Sequence, residues 1–297
     1  MIKNFDELLD NVKEHPTKRV VIPAAHTMSA VYAATLAKEE QIGEFLLIGD
    51  KAQIIDYISM SKENLVDSFE IIDESNPEKC VELAVDAVLN NKADLILKGA
   101  TTTGQLIKGV LNKEKGLQTG NILSDVLVIE TKDRLTLMTD GGIVRYPNVQ
   151  EKVSLINNAV YVAHRLGNPC PNVALLCAIE VVNPTMPPTV EAAEITKMYK
   201  EGQITGCVVD GPLALDVAVS EHAAKIKKID SPVAGNADIL IMPYIEAGNI
   251  FGKAMTYYAH LRVAHVIMGA KVPILITSRA DDAWTKLHSV ALGIICA

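Results

Sequence analysis

The chain has 297 residues, enough for two domains, and 49% of them are hydrophobic, 22% charged and 4% aromatic. The net charge of −8 argues against binding to nucleic acid or to an anionic membrane. No apolar run approaches the roughly 20 residues of a membrane span. An anionic substrate would therefore need a local group of basic side chains.

The cysteines predict a reduced protein. There are five of them, with no CxxC pair and no cysteine–histidine cluster at metal-ligand spacing. An odd number in a chain of this length favours free thiols, and the charged N-terminus lacks the apolar core of a signal peptide. We therefore expect a soluble cytoplasmic protein with no bound metal or cofactor.

In its first part, the chain alternates short β-branched runs with longer helical runs. Strands are predicted at 19–25, 43–49, 68–73 and 93–99, and helices at 28–40, 76–91 and 102–112. This alternation is typical of a parallel sheet whose strands are joined by right-handed crossovers.

The remainder of the chain continues the alternation, with one change of pattern after residue 130. Strands are predicted at 124–130, 134–142, 172–183, 207–211, 237–243 and 271–277, and helices at 148–167, 189–202, 249–267 and 281–297. The chain is therefore expected to be an α/β protein in which mainly parallel sheets are flanked by helices.

The strongest local signal lies between the last predicted strand and the last predicted helix. The strand ends at Thr277, and Ser278, Arg279, Asp281 and Asp282 then lead into an amphipathic helix. Free backbone N–H groups and the helix dipole favour an anion at such a position, and Arg279 adds a fork of donors suited to phosphate. The alternative is that Ser278 or Asp281 only caps the helix while Arg279 pairs with a carboxylate.

A second candidate site joins another strand to a helix. Lys98 and Gly99 end the strand, and the hydroxyls of Thr101, Thr102 and Thr103 follow. The segment offers a cation, N–H groups and close backbone approach to a ligand, although it lacks the GxxxxGK[ST] pattern of a P-loop. A capped turn with no ligand remains the alternative.

A third candidate is the segment that contains Gly248, Asn249 and Lys253. Here the competing interpretation is an ordinary surface ion pair between Glu246 and Lys253. Two Asp-Gly sequences, at Asp140 and Asp210, each follow a predicted strand and indicate turns rather than a metal site.

Several segments together resemble the phosphate acetyl/butyryl transferase family in their order and spacing over almost the whole chain. They are KGATTTGQLIKGVLNKEKGLQTG, NPTMPPTVEAA, DGPLALDVAVS, SPVAGNADILIMPYIEAGNIFGKA and SRADDAWTKLHSVALG. Within the family, EAGNIFGKAMTYYAH and SRADDAWTKLHS look most like the phosphate butyryltransferases.

The resemblance implies a fold shared with isocitrate and isopropylmalate dehydrogenases, with the active site in a cleft between two domains. One domain would comprise residues 1–134 and 270–297, and the other residues 135–269. It also implies a homodimer that needs no metal and forms no acyl-enzyme. Coenzyme A and acyl phosphate would meet in a ternary complex, where the thiolate attacks the carbonyl and phosphate leaves.

The resemblance also implies roles for individual residues. Ser278 and Arg279 match the family's Ser-Arg pair, with the hydroxyl directed to the carbonyl and the cation to phosphate. Substrate-binding positions are Lys98, Thr101, Thr102, Thr103, Gly248, Asn249 and Lys253.

Two positions depart from the acetyl-specific relatives. Those relatives carry a base aspartate seven residues after the serine, where this chain has Thr285, so Asp281 or Asp282 would take the role. Asp282 is preferred because Asp281 is the expected helix cap. The relatives also carry an arginine where this chain has Tyr257, which suggests a more apolar acyl pocket.

The function predicted from the sequence is acyl transfer between butyryl-CoA, or a similar short-chain acyl-CoA, and phosphate. Phosphate acetyltransferase is the alternative within the class. A nicotinamide-dependent decarboxylating dehydrogenase is an alternative on the same fold, although no GxGxxG and no assignable aspartate cluster is present. A non-catalytic binding module is a third possibility, against which the Ser278–Arg279 turn argues.

Overall fold

Helices and strands alternate along residues 1–277 and 281–297, the part of the chain that the computed structural model describes. The strands are β1 (Arg19–Pro23), β2 (Glu44–Gly49), β3 (Glu70–Asp73), β4 (Leu95–Leu97), β5 (Ser124–Glu130), β6 (Leu135–Thr139), β7 (Asn172–Leu176), β8 (Val208–Leu213), β9 (Ile239–Ile241), β10 (Val263–Met268) and β11 (Ile274–Leu275). The α-helices are α1 (Phe5–Lys13), α2 (Met28–Glu39), α3 (Lys51–Lys62), α4 (Pro77–Leu89), α5 (Thr103–Val110), α6 (Val149–Arg165), α7 (Pro187–Lys200), α8 (Leu215–Val219), α9 (Glu221–Lys227), α10 (Ile245–Tyr257) and α11 (Ala283–Cys296).

The terminal unit comprises Phe5–Asn121 and Ala264–Ala297. Its strands lie in the order β3-β2-β1-β4-β11-β10, and the neighbouring pairs are parallel except for the antiparallel β10 and β11. Val20 and Val21 in β1 are fully buried, as expected for a central parallel strand covered on both faces. Among the helices, α4 packs against β1, and α11 packs against α1 and α2.

The central unit comprises Met1–Asn4 and Ile122–Val263. Its strands lie in the order β5-β6-β9-β7-β8, with β5 and β6 antiparallel and the other neighbours parallel. Leu127, Met138, Ala174 and Leu240 come from four different strands and belong to one buried apolar cluster. The prediction of an α/β fold with mainly parallel strands is confirmed.

The units divide the chain earlier than the predicted boundaries at 134/135 and 269/270. The reason for the first difference is the antiparallel ladder between β5 and β6, in which Leu127 lies opposite Met138 and Glu130 opposite Leu135. A boundary after residue 134 would separate these two strands. The ladder keeps both of them in the central unit.

Short polar side chains fix where many of the helices begin. Thr27 caps α2, Asn76 caps α4 ahead of Pro77, and Thr102 and Asn148 form capping boxes at the starts of α5 and α6. Pro77 lies in the first turn of α4, where its missing N–H costs no hydrogen bond.

One predicted element is wrong. The sequence predicted a single helix over 249–267, but α10 ends at Tyr257 and a strand, β10, occupies Val263–Met268. The backbone turns at His260, which has a φ of 52°, a left-handed conformation that a helix cannot continue through. The prediction of a strand over 172–183 is also too long, because β7 ends at Leu176.

Candidate functional site

A cavity of about 350 Å³ lies in the terminal unit. Its lining residues are Thr27, Ser29, Ala30, Ala33, Leu97, Lys98, Gly99, Ala100, Thr277 and Lys286. Two of the contributing segments follow the carboxyl ends of the parallel strands β4 and β11, and a third is the N-terminal turn of α2. Ligands gather beyond the carboxyl ends of strands in α/β sheets, so this cavity is the candidate site.

Two lysines give the cavity its charge. The Lys98 ammonium donates to the backbone carbonyls of Gly99 at 3.3 Å and Thr101 at 3.1 Å. Lys286, which is only 8% exposed, donates to the carbonyl of Asp281 at 2.8 Å. Two ammonium groups in one cavity, beside the positive end of α2, provide the local basic site that the net charge of the chain requires.

The loop after β4 serves both packing and the cavity. A Cβ atom on Gly99 would lie 2.4 Å from the carbonyl oxygens of Pro23 and Ala24, so only glycine fits where these backbones meet. The Thr102 hydroxyl accepts the N–H of Gln105 at 3.1 Å and so caps α5. The capped turn that competed with a binding loop is therefore present, and Lys98 lines the cavity as well.

The three threonines of this loop have different environments. Thr101 is 1% exposed, and its hydroxyl has no hydrogen-bond partner within residues 1–277 and 281–297. Thr102 is engaged in the capping box, and Thr103 is the first residue of α5. None of the three threonines lines the cavity.

The predicted Ser-Arg pair directly follows a cavity-lining residue in the sequence. Ser278 and Arg279 lie outside the described residues, so their predicted roles stay predictions. Thr277, which lines the cavity, directly precedes them.

The cap of the last helix differs from the expectation. Asp282, and not Asp281, caps α11, because its carboxylate accepts the N–H of Thr285 at 2.7 Å. The expectation that Asp281 caps the helix is therefore wrong, and with it the reason given for preferring Asp282 as the base; the assignment of the base stays a prediction. Asp281 instead supplies the backbone carbonyl that holds the Lys286 ammonium.

In the central unit, the structure brings the candidate segment at Gly248 and Asn249 together with the predicted turn at Asp140. A Cβ on Gly248 would lie 2.3 Å from the carbonyl oxygen of Asp140, and the Asn249 side-chain amide donates to the carbonyl of Gly141 at 3.0 Å. The first turn of α10 therefore packs directly on the turn that follows β6. Gly248 has a packing role there, since no other residue allows so close an approach.

Asp140 at this turn is buried, with 2% exposure. Its carboxylate accepts the N–H groups of Gly142 at 2.6 Å, Ile143 at 2.8 Å and Asp125 at 3.0 Å. Burial, with a smaller contribution from the Asp125 carboxylate, raises the pKa of Asp140 to about 6. The interpretation of this Asp-Gly sequence as a turn is confirmed by the first two hydrogen bonds.

The predicted surface pair between Glu246 and Lys253 does not form. Glu246 instead accepts a hydrogen bond from the Tyr146 hydroxyl at 2.6 Å. Within the part of the chain that the structure describes, Lys253 takes part in no ion pair, and it lies exposed on α10. Tyr257 ends the same helix and is 55% exposed.

Sequence reasoning missed Lys286. The residue lies between Thr285 and a run of buried residues, Leu287–Cys296, and a lysine at the edge of an apolar helix normally indicates the solvated face. Lys286 lies in the first turn of α11, seven residues after Arg279 in the sequence. Its direction became evident only from the packing of α11.

Among the described residues, no group of three or more His, Cys, Asp or Glu side chains is arranged to hold a metal ion. None of the described helices combines the length and the apolar character that a membrane crossing requires.

The fold and the cationic cavity together define an α/β protein of the kind that takes an anionic substrate at the carboxyl ends of its strands. Comparison with known proteins specifies the family. A family model described as phosphate acetyl/butaryl transferase matches residues 4–294. The chain belongs to this family, and the predictions of the family and of an acyltransferase are confirmed.

Relatives within the family carry two different specificities. The chain is 43% identical to the phosphate butyryltransferase of Clostridium acetobutylicum, over 100% of this chain and 99% of the relative. It is also 43% identical to the phosphate acetyltransferase of Thermotoga maritima, over 99% of this chain and 100% of the relative.

A solved structure extends the likeness to three dimensions. A branched-chain phosphotransacylase from Enterococcus faecalis V583 is 31% identical, with a TM-score of 0.84, over 94% of this chain and 99% of that one. Membership of this family excludes the two alternative functions, the nicotinamide-dependent dehydrogenase and the non-catalytic binding module.

Proposed function

We propose that the chain transfers a butyryl group, or a similarly short acyl group, between coenzyme A and phosphate. The observation that carries the proposal is the cavity with Lys98 and Lys286, because two cations beside a helix N-terminus suit a phosphoryl group. Full-length similarity to phosphate butyryltransferases supports the acyl group. Acyl-CoA and phosphate are thus substrates, and no cofactor is needed.

The cavity accounts for the phosphate half of the reaction. Lys98 and Lys286 hold the phosphoryl oxygens as charge accumulates on the departing phosphate. Arg279 follows Thr277 by two residues in the chain, and we assign it the bidentate contact that the family's Ser-Arg pair implies. Ser278 donates its hydroxyl to the carbonyl oxygen of the acyl group.

The other half of the reaction is a thiol acting as nucleophile. A thiol with a pKa near 8.5 is only a few per cent ionised at neutral pH, so a base that removes its proton accelerates attack. The thiolate sulfur then bonds to the carbonyl carbon of the acyl phosphate, and the bond from that carbon to the phosphate oxygen breaks. We assign the base to Asp281 or Asp282.

The remaining predicted substrate-binding residues divide into two groups. Lys253 and Tyr257 are exposed on α10 and are assigned side-chain contacts with the substrate. Thr101, Thr102, Thr103, Gly248 and Asn249 are assigned a supporting role, because the threonines do not line the cavity and Gly248 and Asn249 pack on the turn after β6. The resemblance to the family further supports a cytoplasmic homodimer.

Phosphate acetyltransferase is the second candidate. The specific observation in its favour is the Thermotoga maritima relative, whose identity to this chain equals that of the Clostridium acetobutylicum butyryltransferase. Overall sequence identity therefore does not distinguish an acetyl group of two carbons from a butyryl group of four, and a measurement has to identify the acyl group.

A chain-length series tests the proposal. Release of free thiol from acetyl- to hexanoyl-CoA is measured with and without phosphate, and with chelator present. We expect phosphate-dependent release that resists chelator, with the highest kcat/KM at four or five carbons. Each buried CH₂ contributes about 0.8 kcal/mol, so butyryl-CoA should exceed acetyl-CoA roughly tenfold.

Three outcomes would contradict the proposal. A maximum at two carbons makes the chain an acetyltransferase. Loss of activity in chelator, restored by a divalent ion, makes the reaction metal-dependent. Thiol release that does not depend on phosphate removes phosphate acyl transfer itself.

A further inference from the structure

Tyr146 is an exposed aromatic residue that is held in place by two contacts. It is 65% exposed, yet its ring meets the Tyr244 ring edge to face, with centroids 5.6 Å apart and planes at 63°. Its hydroxyl donates to Glu246 at 2.6 Å. A ring fixed in this way loses little conformational freedom when a flat ligand stacks on it.

The ring lies where ligands gather in an α/β unit. The segment from Gly141 to Tyr146 follows the carboxyl end of β6 and runs along the first turn of α10, which follows β9. Two hydrogen bonds fix this course, from the Asn249 side chain to the Gly141 carbonyl at 3.0 Å and from the Ile245 N–H to the Arg145 carbonyl at 3.0 Å. β6 and β9 are parallel neighbours, so both ends meet at one edge of the sheet.

An exposed stripe of α10 continues from this ring. Glu246, Ile250, Lys253 and Tyr257 are spaced four, three and four residues apart, which places them on one helix face. All four are exposed, Ile250 to 69% and Tyr257 to 55%. Lys253 lies about 10 Å along the helix from Glu246, at 1.5 Å per residue.

Cations accompany the aromatic surface. Arg145 is exposed beside Tyr146 in the sequence. Its charge acts on the Tyr146 phenol, whose pKa is nevertheless raised, chiefly by the hydrogen bond to Glu246. Lys253 supplies a second positive charge and takes part in no described ion pair. An exposed aromatic ring with one cation next to it in the chain, and a second about 10 Å along α10 from its partner Glu246, matches a nucleotide, which combines a planar base with phosphates.

We propose that Tyr146 stacks on the adenine of coenzyme A, and that Lys253 and Arg145 bind its phosphate groups. This inference rests on the proposed function, since it identifies which part of the acyl-CoA substrate the central unit holds. The nucleotide is chosen over an apolar peptide because the stripe alternates charged with apolar residues and presents one rigid ring rather than a continuous apolar groove.

Steady-state kinetics with a truncated substrate tests the proposal. Butyryl-pantetheine carries the thioester but lacks the nucleotide. We expect Tyr146→Ala to raise KM about tenfold for butyryl-CoA and to leave KM for butyryl-pantetheine unchanged, since loss of one base–aromatic stack weakens binding by about that factor. Tyr146→Phe keeps the ring and should bind butyryl-CoA nearly as wild type does.

Tyr258 offers a matched control. It is 89% exposed and follows the last residue of α10, so Tyr258→Ala removes an exposed tyrosine that the proposal does not use and should change neither KM. An unchanged KM for butyryl-CoA in Tyr146→Ala overturns the proposal. Equal increases for both substrates also overturn it, because the nucleotide is then not what the ring recognises.

A binding measurement separates this inference from the proposed function. Adenosine 3′,5′-bisphosphate is titrated into the wild-type protein and the Tyr146→Ala and Lys253→Ala variants by calorimetry. We expect binding to wild type and at least fivefold weaker binding to both variants. Wild-type protein that binds the nucleotide but fails to transfer acyl groups defeats the proposed function alone. Equal binding by all three proteins defeats the stacking site alone.

Discussion

Asp140 shows how one buried residue links the local environment to the behaviour of the whole protein. Its carboxylate accepts three backbone N–H groups, which favour the ionised form, but burial and the Asp125 carboxylate outweigh them. The pKa of about 6 lies above the ordinary value of 3.8. The folded protein therefore retains this proton in a pH range where the unfolded chain has lost it.

The stability of the protein should depend on this proton. The contribution of Asp140 to the free energy of unfolding is expected to fall as pH rises from about 4 to about 6, and to stay constant at higher pH. The difference between a pKa of about 6 in the folded protein and the ordinary value of 3.8 corresponds to a free energy on the order of 2–3 kcal/mol. The titration of the Asp140 carboxyl carbon, followed by NMR, should have its midpoint near 6.

Asp125→Asn provides the control for this prediction. It removes the smaller cause and leaves burial, so the midpoint of Asp140 should move down and remain above 3.8. A wild-type midpoint near 4 would contradict the prediction. An unchanged midpoint in the variant would mean that burial alone sets the pKa.

At the scale of single elements, the start of α11 combines two requirements. Asp282 caps the helix, and the carbonyl of its neighbour Asp281 holds the Lys286 ammonium of the cavity. A helix that begins at Ala283 therefore fixes the position of a charged group in the candidate site. Loss of the cap would disturb both stability and phosphate binding.

Variants of Asp282 can separate the cap from the proposed base. Asparagine caps a helix as well as aspartate does but cannot accept a proton in catalysis, whereas alanine does neither. If Asp282 is the base, Asp282→Asn should lose turnover without loss of stability. Asp282→Ala should lose about 1 kcal/mol of stability in addition.

Asp281→Asn is the matched comparison, since the Lys286 contact uses the backbone carbonyl of Asp281 and survives the substitution. The base is the residue whose Asn variant loses turnover. Near-normal kcat in both Asn variants would remove the assignment of the base from this pair. Urea unfolding measures the stability of each variant.

Sequence periodicity predicted most strands and several helices, because buried parallel strands give continuous β-branched runs. It failed where tertiary context decides. The segment of β10 continues the apolar pattern of α10, and only the break near His260 separates them. The pairing of β10 with β11, where Ile267 lies opposite Ile274, makes it a strand. The two residues are only seven positions apart, but the predicted helix over 249–267 included the first of them and so concealed this short antiparallel pair.

The same limit applied to the candidate site. Lys98 could be found because it directly follows a strand, where the fold class predicts ligands. Lys286 and Tyr146 could not be found from the sequence. The direction of the Lys286 side chain depends on how α11 is rotated about its axis, and the position of Tyr146 depends on its hydrogen bond with Glu246, a hundred residues away. The resemblance to a family supplied residue types for the site but not these neighbours.

At the scale of the whole molecule, phosphate binding should appear as added stability. A ligand that binds only the folded state at a hundred times its Kd adds about 2.7 kcal/mol. We expect phosphate to raise the Tm of the wild-type protein by several degrees and that of Lys286→Met much less. Differential scanning fluorimetry across a phosphate series at constant ionic strength measures both.

Lys225→Met is the control for loss of a lysine. The Lys225 side chain is 79% exposed in a surface pair with Glu221, so its removal should leave the phosphate response intact. An equal response of all three proteins would place phosphate outside the cavity.

The division of the chain has a consequence for how the protein is made. The terminal unit needs Ala264–Ala297, which supplies most of β10 together with β11 and α11. Until the ribosome has released these residues, β4 has no partner on its β11 side. At about 5–20 residues per second, the N-terminal strands wait on the order of ten seconds while the segment of the central unit, Ile122–Val263, emerges and acquires its own core. The terminal unit therefore contains most of the residues synthesised first but is completed last. During that interval β4 exposes unpaired backbone N–H and C=O groups on its β11 side, and this edge is where we expect a chaperone to bind.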